Sequence, residues 1–421
     1  MNTIDSESQE QFHVSSVRYF PEEWDNKTLL DAVGMKKDLI VAGPFGSNLK
    51  VSDYKDEGIP IIRLQNIDYG KFIDKEIKYI SHEKARELAY HSFRAGDLVL
   101  AKLGDPIGKT CIVPDYFKDG IVVADVVRVR VADGLVDKKF IMYSLNSVAT
   151  KNQLINGTIG STRPRVNLDQ IRDIQILVPP LNEQRKIAAI LSSVDAAIEQ
   201  TDAIITQTEQ MKKGLMQYVF VTKAAQKKWE ITNLSRLAQI EMGQSPPGST
   251  YNEIGDGMPL INGPTEFGQS CPKPIQWTTN PTKVCKKGDI LFCVRGSSTG
   301  RLNSADREYC IGRGVAAIRG KSNKGSTLFI RHYLMHEVPR IYKLAAGGGS
   351  TFPNITSTLL NAYPCCSPSL QEQCKIANIF LSIDQRLECE NQYRNNLCLI
   401  QRGLMRDLLT GRVRVKVDEH A

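Results

Sequence analysis

The chain has 421 residues, room for two or three domains at about 100–200 residues each. Its 41% hydrophobic and 24% charged residues are ordinary for a globular protein and exclude collagen-like, coiled-coil-only and wholly disordered chains. Lys and Arg number 54 against 46 Asp and Glu, a net charge of +8 that permits a polyanionic partner but does not demand one.

In chain order, residues 1–19 are polar and acidic and read as a flexible N-terminus with no signal peptide. Residues 20–179 read as a mixed α/β domain. Strands are predicted over Ile59–Leu64, Leu98–Lys102, Ile121–Val131 and Ile174–Val178, and short helices over Ser81–Tyr90 and Asp137–Ser147. Residues 180–220 read as one long helix and 221–228 as a Lys/Ala/Gln linker. Residues 229–368 are a second α/β domain, with strands predicted at Asp289–Val294 and Val315–Arg319. A second long helix follows at 369–412, then a tail at 413–421. The apolar runs, such as Ile121–Val127, fall far short of the ~20 residues of a membrane helix. A cytoplasmic protein with no membrane partner is expected.

The order repeats because the sequence repeats. Leu181, Glu183, Gln184, Lys186, Ile187, Ala188 and Ile190 recur as Leu370, Glu372, Gln373, Lys375, Ile376, Ala377 and Ile379, an offset of 189. The offset holds through Asp195/Asp384, Glu199/Glu388 and the Gly-Leu-Met at Gly214 and Gly403. Upstream the match is weaker: Gly96-Asp-Leu-Val-Leu pairs with Gly288-Asp-Ile-Leu-Phe, and Trp24 with Trp229.

With Ile187 as heptad position a, the first helix puts Ile187, Val194, Thr201, Thr208 and Leu215 at a, and Ile190, Ala197, Ile204, Met211 and Tyr218 at d. The second puts Ile376, Ile383, Glu390, Leu397 and Leu404 at a, and Ile379, Arg386, Tyr393, Ile400 and Asp407 at d. Helices of about 39 residues and on the order of 58 Å need a partner helix. The expected partner is the other copy, antiparallel, with Leu181 and Leu370 at the starts of the apolar seam; the alternative is that each helix packs only on its own globular segment.

Catalytic motifs are missing. Asp105-Pro-Ile-Gly lacks the second proline and the aromatic that hold a target amino group in a flipped-base pocket. Pro114-Asp115 followed by Asp137-Lys-Lys139 imitates a nuclease pattern only loosely and has no copy in the second half. Gly320-Lys-Ser lacks the earlier glycine of a phosphate loop. Six histidines scatter without metal-ligand spacing, and ten cysteines include no Cys-x-x-Cys, so they read as small apolar residues and free thiols and no metal is expected.

What remains is a duplicated set of polar and cationic side chains in Gly-rich loops. The first copy offers Ser47, Arg63, Gln65, Asn66, Lys102, Lys109, Thr110, Arg163 and Arg165. The second offers Gln244, Ser245, Asn262, Arg295, Ser297, Ser298, Thr299, Arg301 and Arg313. Arg, Asn and Gln read base edges, while Ser, Thr and Lys mostly grip phosphate.

Over residues 20–412 the chain resembles the specificity subunits of type I restriction-modification systems. The resemblance rests on Pro-Leu-x-Glu-Gln-x-Lys-Ile-Ala-x-Ile at 180–190 and again at 369–379, each opening a long helix that ends in Gly-Leu-Met. Ser369 replaces the second copy's proline, and Cys374 a polar residue. The Trp24 and Trp229 domain starts and the Gly-Asp-aliphatic strands fit it too. The resemblance implies two target recognition domains, each reading one half of a bipartite, asymmetric site on double-stranded DNA. The helices would be an antiparallel spacer that sets the gap and docks two modification subunits. Those subunits would carry S-adenosylmethionine and methylate adenine N6. Restriction subunits using ATP with Mg²⁺ would join the core. This chain itself would bind no cofactor and catalyse nothing. Two rival readings are a solitary DNA-modifying enzyme, which would be active alone, and a coiled-coil scaffold without DNA specificity, which would survive loss of the loop cations.

Overall fold

The structure, a computed structural model, describes residues 20–157, 164–346 and 353–416. In the first copy the strands include β1 (Asp25–Thr28), β2 (Ile40–Ala42), β3 (Ile59–Ile62), β4 (Lys78–Ile80), β5 (Ser92–Phe93), β6 (Leu98–Ala101), β7 (Thr110–Ile112), β8 (Gly120–Val122), β9 (Val126–Val129) and β10 (Gln175–Val178). Helix α1 spans Lys138–Leu145. One antiparallel sheet has the order β2-β9-β6-β7, and a second has β4-β3-β8-β5 with β3 and β8 parallel. Strand β1 pairs with β10.

Strand periodicity explains the layering. Leu98 and Leu100 of β6, with Val127 and Val129 of β9, face a core shared with α1. Val99 and Val126 point the other way, into a smaller core with Ile62, Phe93 and Val122 of the second sheet. Side chains that alternate along a strand and are buried on both faces mark a central layer. The layers are therefore helix, sheet, sheet. The Gly-Asp motif opens the central strand. Gly96 takes φ +80°, open to glycine at no steric cost. Asp97 then accepts from Arg94 N (2.9 Å) and pairs with Arg130, just past the end of β9 (2.7 Å).

The first long helix, α2 (Leu181–Gln217), runs on through a π-helical stretch, Tyr218–Lys223, and a last turn, Ala224–Gln226, a continuous 46 residues. The linker expected at 221–228 is thus helical as far as Gln226. Its Lys, Ala and Gln are strong helix formers, and no Gly or Pro stands before Lys228, which takes φ +48° and ends the run.

The second copy rebuilds the first. Its strands include β11 (Glu230–Asn233), β12 (Ala238–Met242), β13 (Met258–Ile261), β14 (Gln276–Thr278), β15 (Ile290–Cys293), β16 (Leu302–Ser304), β17 (Tyr309–Ile311), β18 (Val315–Gly320) and β19 (Pro364–Ser367), with helices α3 (Thr327–Ala346) and α4 (Leu370–Leu408). The sheet β12-β18-β15-β16 has the same order and pairing as β2-β9-β6-β7. Asp289, after Gly288, again binds a strand neighbour, Arg319 (2.5 and 2.6 Å).

The chain forms two compact units: one takes residues up to Gln200 and those from Arg394 onward, the other Thr201–Tyr393. Each unit holds the start of one long helix and the end of the other, and within each the two run antiparallel. In the first unit Gln401 donates to Asp195, and Leu404 and Met405 pack on the core around Ile187 and Leu191. In the second, Lys212 pairs with Asp384, and Phe220 stacks on Phe380 with ring centroids 5.9 Å apart. Asp195/Asp384 and Gln401/Lys212 are repeat equivalents, so one contact is made twice.

The buried seam differs from the expected a and d pattern. Position a is buried or half-buried throughout, with Ile187, Thr201, Ile376 and Leu397 inside and Val194, Leu215, Ile383 and Leu404 partly so. The second buried line is e, where Leu191, Phe380 and Leu408 are buried. Of the d residues, Ile190 and Ile204 are half-buried, but Met211, Tyr218, Ile379, Tyr393 and Ile400 are each 50% exposed or more. Ile187 and Leu191, one turn apart, also belong to a globular core. A helix packing on a domain and on a partner helix buries a stripe centred between the two, and that turns d outward.

Most letters of the repeated motif have a structural use. Gln184 accepts from Asp137 N and donates to Pro179 O (both 2.8 Å), and Gln373 does the same with Ser326 N (2.9 Å) and Pro368 O (3.0 Å). Both glutamines are buried and fix the helix start against the globular segment. Buried Glu183 accepts from Trp24 Nε1 (3.1 Å) and from two nitrogens of Arg414 (2.8 and 2.9 Å). In the second unit Glu372 pairs with Lys223 (3.0 Å), whose ammonium lies 5.7 Å from the Trp229 ring. Residues 413–416, expected as a tail, thus help close the first unit.

Candidate nucleic-acid interface

The strand ends decide where the loops gather. Register places the end of β2 at Ala42, the end of β6 at Ala101 and the start of β9 at Val126 on one side of the sheet. The loops leaving them, 43–50, 102–109 and 123–125, therefore cluster. Gly43 N donates to Val126 O (3.0 Å) and Lys102 N to Asp125 O (3.0 Å). Val166 N donates to Lys102 O (3.2 Å), which brings in Pro164 and Arg165. The second unit repeats this end. Gly243 N donates to Val315 O (2.9 Å), Val294 N to Gly314 O (2.9 Å), and Arg295 bridges Asn354. At Gly43 and Gly243 a Cβ would collide with backbone carbonyls, of Val123 and of Gly312 respectively.

In the first unit this end carries Ser47, Lys102 and Arg165. Ser47 is exposed. Arg165 is exposed and bonds Asp125 (2.5 Å) through one nitrogen, which leaves further N–H donors for a ligand. Lys102 is half-buried beside them. Burial pushes its pKa below the usual lysine value, Asp125 opposes that, and Arg165 adds to it. Lys109 pairs with Asp68 (2.8 Å) and lies 5.6 Å from the Tyr69 ring. Arg63 and Gln65 stand on the loop after β3, where Arg63 donates to the Glu76 carbonyl and Gln65 to its carboxylate (3.2 Å). Val123 N to Ile62 O (3.2 Å) joins that loop to the same end.

In the second unit Gln244, Arg295, Ser297, Arg301 and Arg313 are exposed, and Ser298 is half-buried. Ser245 accepts from Arg313 N (3.3 Å). Arg301 lies on the carbonyls of Pro264 and Phe267 (both 3.4 Å). Asn262 is half-buried against Gly312 and Gly314.

Three candidates face inward. Asn66 is wholly buried: its Oδ1 accepts from Arg63 N and its amide donates to Ile73 O and Lys75 O, all at 3.0 Å. Thr110 is buried with its hydroxyl on Gly108 O (3.0 Å). Thr299 is buried with its hydroxyl on Gly296 O (2.7 Å). Their polar atoms hold the loops in shape. Arg163 lies outside the described residues. Asp68, Glu76 and Asp125, which orient the cations, were not singled out in the sequence. They carry no motif, and only the fold brings them to the basic residues.

Arg and Lys on rigid loops can meet phosphates and base edges. Among the described residues no group of three or more His, Cys, Asp or Glu is placed to hold a metal ion. Nor, among them, is any helix long and apolar enough to cross a membrane.

Comparison with known proteins agrees with this reading. The model of the type I restriction modification DNA specificity domain matches residues 21–210 and again 226–398. A chain of Methanocaldococcus jannaschii, provisionally named the type I restriction enzyme MjaX specificity subunit, is 29% identical over 97% of this chain and 98% of its own length. Two solved structures share the fold. One is the type I restriction-modification S subunit of M. genitalium (TM-score 0.60, 17% identity, covering 93% of this chain and 97% of that one). The other comes from a study of complex assembly and conformational transition in a type I system (TM-score 0.59, 22% identity, covering 94% and 100%). The duplicated domain, the repeated helix motif and these matches together establish that the chain belongs to the DNA specificity subunits of type I restriction-modification systems, which recognise DNA and are not themselves catalytic.

Proposed function

We propose that each unit reads one half of a split DNA site through the loop end of its β2-type sheet. The observation that carries this is duplication: the same strand order, twice, brings polar and cationic loops to the same end. The two ends differ in side chains, with Lys102 and Arg165 on one and Arg295, Arg301 and Arg313 on the other. Different donors read different bases, so the half-sites differ. The paired helices set a fixed gap. Their outward d residues, among them Met211, Tyr218, Ile379, Tyr393 and Ile400, are apolar surface for two modification subunits. Those subunits would supply S-adenosylmethionine and adenine-N6 methyl transfer, and restriction subunits would bring ATP and Mg²⁺. This chain contributes recognition and geometry in the cytoplasm.

The test is to co-express the chain with its modification subunit in a methylation-free host and map N6-methyladenine by long-read sequencing. Methylation at one split motif of fixed gap, only when both chains are present, supports the reading. Methylation by this chain alone, or none from an intact complex, overturns it.

A further inference from the structure

The loop after β2 holds a side chain that no core of the first unit takes up. Phe45 is 83% exposed at the tip of Gly43-Pro-Phe-Gly-Ser. Taking a phenylalanine ring out of water is favourable, so an exposed ring sits there at a loss. Isolated apolar residues on a surface are common and need no function. Here the setting is specific. The loop is pinned at its root, where Gly43 N bonds Val126 O and no Cβ fits. It is pinned again beyond the tip, where Leu49 is buried. Between the pins Asn48 N donates to Phe45 O (2.8 Å) and closes a turn. The ring is thus held out by a short, fixed loop, at the end of the sheet that carries Lys102 and Arg165. Its neighbours Ser47, Asn48 and Lys50 are exposed and polar. The equivalent loop of the second unit, Gly243-Gln-Ser-Pro-Pro-Gly, has no aromatic residue.

We propose that Phe45 is a wedge that enters the base stack of the first unit's half-site, a positioning and specificity residue with no counterpart in the second unit. Apolar side chains inserted at a base step partly unstack it and kink the duplex, and a flexible step yields more easily than a stiff one. Phe45 would then select for deformability at its step, and it would ease the extrusion of a base that adenine methylation requires. The proposal rests on the reading that this loop end meets DNA.

The test uses the full chain in complex with its modification subunits. The DNA is a duplex bearing the mapped site, with a fluorescent base that keeps its pairing placed singly in the first half-site: 2-aminopurine for each adenine other than the methylated one, and 6-methylisoxanthopterin for each guanine. The wild-type complex should raise the fluorescence at one step several-fold. Phe45→Ala should abolish that rise and weaken specific binding about 10-fold, while the slope of binding against salt concentration stays unchanged. Phe45→Leu, still an apolar wedge, should keep part of both. Unchanged melting and subunit assembly of Phe45→Ala would confirm that the fold is intact. Wild-type fluorescence and affinity in Phe45→Ala overturn the proposal. So does a loss traced to failed binding of a modification subunit. A Lys102→Ala/Arg165→Ala control separates the two readings: if it too leaves the half-site unchanged, the loop end is not the DNA surface.

Discussion

His332 and Tyr143 occupy the same place in the two copies and solve it differently. Tyr143 donates to Asp195 (2.5 Å), its repeat-equivalent helix partner. His332 is wholly buried against Phe380, its ring nitrogens unpartnered and Nε2 3.9 Å from Asp384. Burial drives its pKa from 6.5 down to about 4, with Asp384 pulling it up and Arg331 and Lys212 pushing it down. The sign follows. The folded protein keeps the ring neutral, while the unfolded chain takes up a proton near 6.5. Stability is therefore full above that pH and falls as pH drops from 6.5 toward 4, by an amount on the order of 3 kcal/mol from this residue. Thermal melts across this range should show a shallower acid loss for His332→Phe than for wild type. Equal slopes would contradict it. At this scale the sequence was partly legible. Residue types pointed to loops that the fold gathers at one end of each sheet, but type alone cannot tell a side chain that faces solvent from one that braces its own turn. Asn66 and Thr299 brace.

Among the elements, both long helices and their antiparallel pairing were legible, because a run of this length without proline admits little else. The seam was not. A heptad count assumes one partner, and these helices have two, a sister helix and a globular core, which moves the buried stripe from a and d to a and e. The closure of the first unit was also hidden, since Arg414 is far from Glu183 in sequence and belongs to a segment with no pattern. Arg414→Ala leaves a buried carboxylate with only Trp24 as its donor at that side, and should cost about 2–3 kcal/mol. Lys223→Ala in the second unit breaks a more exposed pair, 29% and 30% accessible, and should cost less than about 1 kcal/mol. Denaturation of the two variants should rank them in that order, and the reverse order would refute the account of the closure.

For the whole molecule, the tandem repeat was the most legible feature and the decisive one. It predicted two copies of one fold, and β12-β18-β15-β16 reproduces β2-β9-β6-β7 strand for strand. How the copies divide the long helices between two units was not legible, because it depends on pairing across the chain. If the paired helices set the gap, adding one heptad after Ala203 and one after Gln392 keeps the phase of the seam. It lengthens each helix by about 10 Å, and the gap should grow by about three base pairs at ~3.4 Å each, with both half-sites unchanged. A methylation map showing the original gap would rule this out. The central claim is that each unit reads its own half-site. It is tested most directly by mapping N6-methyladenine for two variant complexes, Lys102→Ala/Arg165→Ala and Arg295→Ala/Arg313→Ala. The first should relax or abolish recognition in one half of the motif, the second in the other half, with the gap preserved in both. Two variants that alter the same half, or a motif untouched by either, would contradict it.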